Sequence, residues 1–75
     1  MPKLPVLSGH DVVKALSKVG FSESRQKGSH IVLVKFSNGK KKAVVIPNHM
    51  EVDKGTLLEI IRQSGLTRQE FLQLL

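Results

Sequence analysis

The sequence predicts a small α+β domain in which a helix, a three-stranded antiparallel sheet, a second helix and a short C-terminal helix follow one another. Three observations support this class. The chain has 75 residues, enough for one hydrophobic core and therefore one domain over residues 1–75. Two segments rich in Val and Ile flank Asn38-Gly39, a pair typical of a tight β-hairpin. Apolar residues recur at helical spacing before and after that hairpin.

The first helix is predicted from about Gly9 to Lys18. Ser8 is an N-cap candidate with Asp11 three residues later, which is close to a capping box. Gly20 is placed to end the helix. The apolar residues at helical spacing are Val12, Val13, Leu16 and Val19.

Three strands are predicted next. Phe21 to Gln26 alternates well enough for a short polar strand, and His30 to Phe36 and Lys41 to Ile46 are rich in branched residues. Pro47 cannot extend the hydrogen-bonded ladder, so the third strand should end there. With unbroken alternation, one side of the first strand would carry Phe21, Glu23 and Arg25.

Two helices complete the chain after a connecting loop over Asn48 to Asp53. Lys54 to Ser64 has an apolar stripe opposite charged residues, and Gly65 is a suitable C-cap. Thr67 and Glu70 have the spacing of a second capping box, which predicts a short last helix that runs through Phe71 and Leu74.

The two apolar strands do not alternate between apolar and polar residues, as strands covered on one face usually do. Ile31 and Leu33 share one parity, whereas Val32, Val34 and Phe36 share the other. The second face of the sheet is therefore expected to be apolar too. It would either meet a partner, as in a homodimer or a larger assembly, or be covered by the tails or the last helix.

Charge and composition restrict the class of partner. Twelve Lys and Arg against six Asp and Glu give a net charge of +6, which favours nucleic acid first and an acidic protein second. No apolar stretch approaches the roughly 20 residues of a membrane span, and no signal peptide is recognised. Because the chain has no cysteine, neither a disulfide nor a thiolate metal site is expected, and the expected compartment is the cytoplasm.

His30 is the strongest candidate for chemistry. It follows Arg25, Lys27 and Gly28-Ser29, and it opens the most apolar segment of the chain, where a strand would hold it rigidly. Histidine exchanges protons near neutral pH, and RNA cleavage needs little more than proton transfer and cations beside the phosphate. A phosphate-binding histidine and an ordinary strand-end histidine are the alternatives, because Gly-Ser-His is a short pattern.

Other residues are expected to bind an anionic ligand. The lysines after the hairpin turn would form a basic end of the sheet with the cations before His30, although a solvated strand rim is the alternative. Free N–H groups at the start of the second helix favour a phosphate. His49 is either a second acid, base or substrate contact, or an exposed loop residue. The predicted RNA-binding residues are Arg25, Lys27, Gly28, Ser29, Lys40, Lys41, Lys42, His49 and Lys54.

Two further expectations concern histidine and phenylalanine. His10 would lie on the surface of the first helix, and the three histidines do not form a convincing metal site. Phe21, Phe36 and Phe71 are expected in the core, which argues against base stacking and favours recognition through backbone shape and charge.

Several motifs follow one another along the chain with little slack in their spacing. They are Val19-Gly20-Phe21, Lys27-Gly28-Ser29-His30, Ile46-Pro47-Asn48-His49, Gly55-Thr56-Leu57-Leu58-Glu59-Ile60-Ile61, Ser64-Gly65-Leu66 and Phe71. Together, from about Ser8 to Phe71, they resemble the HicA-like toxin family of toxin-antitoxin systems. One departure is Ile31-Val32-Leu33-Val34, where family members often have polar or aromatic residues.

The resemblance implies a fold like a double-stranded-RNA-binding domain and an mRNA endoribonuclease that needs neither a metal nor the ribosome. The family's catalytic histidine falls on His30. The resemblance also implies a HicB-type antitoxin, acidic to neutral, which covers the active site. The competing hypotheses are a non-catalytic RNA-binding module and a protein-interaction domain with an acidic partner.

Overall fold

The computed structural model describes residues 4–75 and has the predicted order of elements. The helices are α1 (Gly9–Ser17), α2 (Lys54–Ser64) and α3 (Arg68–Leu72), and the strands are β1 (Ser22–Lys27), β2 (His30–Ser37) and β3 (Lys40–Pro47). These bounds differ from the predicted ones by at most two residues. Residues 1–3, the start of the expected domain and of the segment searched for a signal peptide, lie outside the described residues.

Side-chain caps explain where the helices begin. In α1, Asp11 N donates to Ser8 Oγ at 3.1 Å and Ser8 N donates to Asp11 Oδ2 at 3.0 Å, which completes the predicted capping box. The Ser8 backbone N–H holds the pKa of the Asp11 carboxyl below its ordinary value. Thr67 and Glu70 form the same box at α3. Gly65 ends α2 with a φ of 82°, a left-handed conformation that favours glycine.

The sheet has the order β1-β2-β3, and both neighbouring pairs are antiparallel. Ile31 and Leu33 of β2 lie opposite Ile46 and Val44 of β3, and all four side chains are buried beneath the helices. Within residues 4–75, no helix is both long and apolar enough to cross a membrane. The core comprises Leu7, Val12, Ala15, Leu16, Phe21, Ile31, Leu33, Val44, Ile46, Val52, Leu57, Ile60, Ile61 and Phe71.

A β-bulge interrupts β1 and changes the direction of the side chains that follow it. Glu23 pairs with Leu33, but Arg25 pairs with Val32, so Ser24 is an extra residue in this strand. Because side chains alternate between the faces, one extra residue moves every later side chain to the opposite face. Arg25 therefore points away from the buried Leu33. The predicted unbroken alternation in β1 is wrong.

The first residue of α1 packs closely against the end of β3. Gly9 N donates to the carbonyl of His49 at 2.9 Å. A Cβ atom added at Gly9 would collide with the carbonyl oxygen of Pro47 and would lie 3.1 Å from Asn48 Cα. Both obstacles are backbone atoms, which a rotamer change cannot move. Only glycine therefore fits where α1 meets the loop after β3.

We expect Gly9→Ala to lower the free energy of unfolding by about 1–3 kcal/mol, the usual cost of forcing extra atoms into a packed site. Urea unfolding followed by circular dichroism measures the change. Gly55→Ala is the matched control, because its new Cβ would meet only Asp53 Oδ1 at 3.4 Å and alanine favours the helix by roughly 0.5–1 kcal/mol. Equal stability of Gly9→Ala and the parent protein would contradict the close contact.

Candidate functional site

One face of the sheet is not covered by helices, and we call it the open face. Its members are the side chains that point away from the buried residues of the strands. Phe36 is 71% exposed and Val45 is 48% exposed, so α3 does not cover this face and the prediction of a second apolar face is confirmed. The open face comprises Ser22, Arg25, Lys27, His30, Val32, Val34, Phe36, Lys41, Ala43, Val45 and Pro47.

His30 is exposed and is the first residue of β2. In the register of the sheet, Lys27 of β1 lies on one side of it and Pro47 of β3 on the other. A two-residue turn, Gly28-Ser29, joins β1 to β2, and Gly28 has a φ of 58°. Glycine is favoured at this first turn position because its φ is positive. The imidazole of His30 thus lies on the central strand, with the cation of Lys27 beside it on the edge strand β1.

The loop after β3 is hydrogen bonded to the turn before His30. Asn48 N donates to the carbonyl of Ser29 at 2.6 Å, and the next residue, His49, accepts the bond from Gly9 described above. His49 is itself exposed. The structure therefore brings His30, His49 and the turn between β1 and β2 to one end of the molecule, which we call the histidine end.

The three lysines after the hairpin turn lie at the other end of the sheet. Lys40 pairs with Ser37 and Lys42 pairs with Lys35, whereas the histidine end lies where β2 begins. Ser37 lies seven positions after His30 along β2, which is roughly 23 Å at 3.3 Å per residue. The single basic end expected from the sequence is therefore wrong, since the cations form two groups.

Only one of these lysines lies on the open face. Lys41 pairs with Phe36 there, whereas Lys40 and Lys42 have the parity of the buried Val44 and point toward the helices. Lys42 reaches the end of α2, where its Cε lies 3.8 Å from the point that a Cβ atom added at Gly65 would occupy. A cation is favourable at a helix C-terminus, so Lys42 has a structural role available.

The cations of the open face are not neutralised by neighbouring carboxylates. Among residues 4–75, one ion pair is formed, between Arg62 and Glu59 on α2. None of the eleven open-face residues named above is Asp or Glu. Arg25 and Lys27, which the bulge turns toward this side, therefore add to the positive potential around His30.

The start of α2 is already occupied by a carboxylate. Thr56 donates its backbone N–H to Asp53 Oδ1 at 2.9 Å and its hydroxyl to Asp53 Oδ2 at 2.8 Å. The pKa of the Asp53 carboxyl is lowered most by the Thr56 N–H, then by the Thr56 hydroxyl, and less by the Gly55 N–H and by His49, so this carboxyl is ionised at neutral pH. The expected free N–H group is therefore not available at Thr56, although Lys54 beside it is exposed.

The phenylalanines divide between core and surface. Phe21 and Phe71 are 3% and 0% exposed, as predicted, but Phe36 is 71% exposed on the open face. The prediction that Phe36 belongs to the core is wrong because its parity is opposite to that of Ile31 and Leu33. Strand parity is the signal that would identify it, once the buried parity of β2 is known.

The remaining histidine lies outside this surface. His10 is exposed in the first turn of α1, as predicted for a surface residue. Over residues 4–75, no three or more His, Cys, Asp or Glu side chains converge on a metal position. On the open face, the exposed imidazole of His30 lies beside Lys27, and such a pair is suited to proton transfer on a bound anion.

Comparison with known proteins identifies one family. A family model described as the HicA toxin of bacterial toxin-antitoxin matches residues 9–66. The matched segment runs from the start of α1 to just beyond α2 and includes the whole sheet and His30. No curated protein matches the chain. The observed fold agrees with the double-stranded-RNA-binding-domain-like architecture expected for this family.

The lowered pKa of Asp53 predicts a contribution to stability that depends on pH. Because the folded-state pKa lies below the unfolded one, the contribution is present above the unfolded value, about 3.9, and is lost as the pH falls through the folded value. Asp53→Asn keeps an oxygen acceptor for Thr56 but removes the titration. We expect its free energy of unfolding to fall less steeply than the parent's below about pH 5, as measured by urea titrations at several pH values. If the free energies of unfolding of the two proteins fell in parallel with pH, the contribution of the Asp53 carboxylate to stability would be contradicted.

Proposed function

The chain belongs to the HicA toxin family of bacterial toxin-antitoxin systems, and on that premise we propose that it is an mRNA endoribonuclease in which His30 transfers protons without a metal. The main supporting observation is the position of His30, exposed beside Lys27 on a face that carries cations and no carboxylate. RNA is a polyanion, and contacts to its phosphates supply much of the affinity of RNA-binding proteins. Cytoplasmic mRNA is the proposed substrate.

The proposed reaction uses the 2′-hydroxyl of RNA as the nucleophile. This hydroxyl loses a proton and its oxygen attacks the adjacent phosphorus, while the bond to the 5′-oxygen breaks and that oxygen gains a proton. In this proposal His30 accepts or donates one of these protons, and His49 at the same end of the molecule is the candidate for the other. Lys27 and Arg25 would stabilise the charge on the phosphorane oxygens.

Family membership implies an antitoxin partner. We propose that this partner is of the HicB type and neutralises the toxin by covering the open face together with His30. An acidic protein fits such a surface electrostatically, because the face has cations at both of its ends and the whole chain carries +6. Val32, Val34 and Val45 would supply the apolar part of that contact.

We expect His30→Ala to reduce the rate of mRNA cleavage by about 10²- to 10⁴-fold, the usual contribution of one positioned acid or base. Purified protein would be incubated with labelled mRNA, and the products resolved by gel electrophoresis. His10→Ala is the matched control, since it removes an exposed imidazole from α1 and should cleave at the parent rate. Equal cleavage by the parent and His30→Ala proteins would reject His30 as the catalytic residue.

Absence of cleavage by the parent protein, with RNA binding retained, would instead favour a non-catalytic RNA-binding module.

His49→Ala separates the two proposed proton-transfer groups. If His49 takes part, the pH profile of cleavage should lose one of its two limbs in that variant. An unchanged rate and profile would limit proton transfer by histidine to His30.

The two groups of lysines predict a difference between neighbouring variants. Lys41→Ala should weaken RNA binding. It should also make the slope of log affinity against log salt smaller by about 1, the change expected for the loss of one phosphate contact. Lys42→Ala should change binding less, because Lys42 lies beside the end of α2. Affinities measured at several salt concentrations in the His30→Ala background test this. Equal losses in both variants would show that the open face is not the binding surface.

A further inference from the structure

The exposed Phe36 has no role in the proton-transfer chemistry proposed above. We propose that Phe36 and Lys41 form a subsite for single-stranded RNA, in which an unpaired base stacks on the Phe36 ring and Lys41 contacts the adjoining phosphate. This inference rests on the proposed function for the identity of the ligand. It adds that the RNA must be unpaired at a position well away from the cleaved bond.

The first argument is the exposure and surroundings of the ring. Phe36 is 71% exposed although it lies in regular strand, and Lys41 is its direct partner across the pair β2–β3. Side chains directly opposite each other in an antiparallel pair lie about 5 Å apart. An aromatic face and a cation are thus held side by side on a rigid sheet. Stacking platforms for single-stranded nucleic acid combine these two components.

The second argument is the charge of the open face. Arg25 and Lys27 lie toward one end of it, Lys41 lies at the other, and Asp and Glu are absent from its residues. A second copy of the chain would bring together two faces of like charge, which opposes association. A single RNA strand crossing the face would place phosphates near both groups of cations and bases over the apolar centre.

The third argument is the alignment of Phe36 with His30. Both side chains leave the same face of β2 and are six residues apart, which corresponds to about 20 Å. A strand of RNA stacked at 3.4 Å per nucleotide covers that length with about six nucleotides, and an extended strand needs fewer. In a duplex, the flat faces of the bases are already stacked on one another, so only an unpaired segment offers a free face to Phe36.

The absence of Trp and Tyr from the sequence permits a direct optical test. Phe36→Trp introduces the only indole of the chain and keeps an aromatic ring at the subsite. In the His30→Ala background, chosen to slow cleavage, we expect its fluorescence to be quenched by a single-stranded oligoribonucleotide of about ten nucleotides. Leu75→Trp is the matched control, because Leu75 lines a groove beside α1 on the helical side of the molecule, and its fluorescence should not change.

Binding constants complete the test. Phe36→Ala and Phe36→Leu, both in the His30→Ala background, should weaken binding of the single strand by about 5- to 100-fold, the range for loss of one base–aromatic stack. Phe36→Leu is informative because it retains apolar bulk and loses only the aromatic face. Binding of a fully paired RNA of the same sequence should not depend on residue 36. Thermal unfolding should confirm that substitution of this exposed side chain leaves the fold intact.

The opposite result in either the fluorescence or the affinity measurements would overturn the proposed subsite. Unchanged affinity in Phe36→Ala, or an unquenched indole in Phe36→Trp, would leave the apolar face to a protein partner. If the Phe36 variants lost affinity for single-stranded and paired RNA equally, residue 36 would affect RNA binding in general and would not stack on an unpaired base. These readings do not require cleavage, so failure of the parent protein to cut RNA would reject the proposed enzyme and leave the stacking result interpretable.

Discussion

The structure depends on the burial of Ile31, Leu33, Val44 and Ile46 against the two long helices. Each such side chain stabilises the fold by about 1.5–3 kcal/mol when it is fully buried. Two helices can cover only one face of a three-stranded sheet. The fold must therefore bury these four side chains rather than the apolar side chains on the other face of the same strands. The two-residue turns at both ends of β2 limit how the strands can slide, and they thereby help to select the buried set.

The same selection determines which side chains remain available for function. Once Ile31 faces the helices, His30 must face outward, and every second residue of β2 joins it on the open face. The hydrophobic core and the candidate RNA-binding surface are therefore two consequences of one register. This relation also accounts for the apolar run directly after His30. Ile31 and Leu33 of the run lie in the core, whereas Val32 and Val34 lie on the open face, which is suited to bases or to a protein partner.

The helices and strands can be predicted well from the sequence because their signals are local. Ser8, Thr67 and Asn38-Gly39 act through neighbouring backbone atoms, so a few adjacent letters are sufficient to place helix starts and a hairpin. The arrangement of the cations was not predictable in this way. The bulge at Ser24 has no glycine to mark it, and the choice between the two apolar parities of β2 depends on packing by distant helices. The surroundings of Phe36 and Lys42 therefore differ from those that their sequence neighbours predict.

The bulge in β1 also has a consequence for the behaviour of the protein in concentrated solution. β1 is an edge strand, and a regular exposed edge invites strands from other molecules to extend the sheet, which leads to aggregation. All six residues of β1 are polar and exposed, and the extra Ser24 interrupts the spacing of the outer hydrogen-bonding groups. The edge is thereby a poor template for another strand. On this side of the sheet, the polar and bulged edge therefore opposes the addition of a further strand beside the exposed valines and phenylalanine.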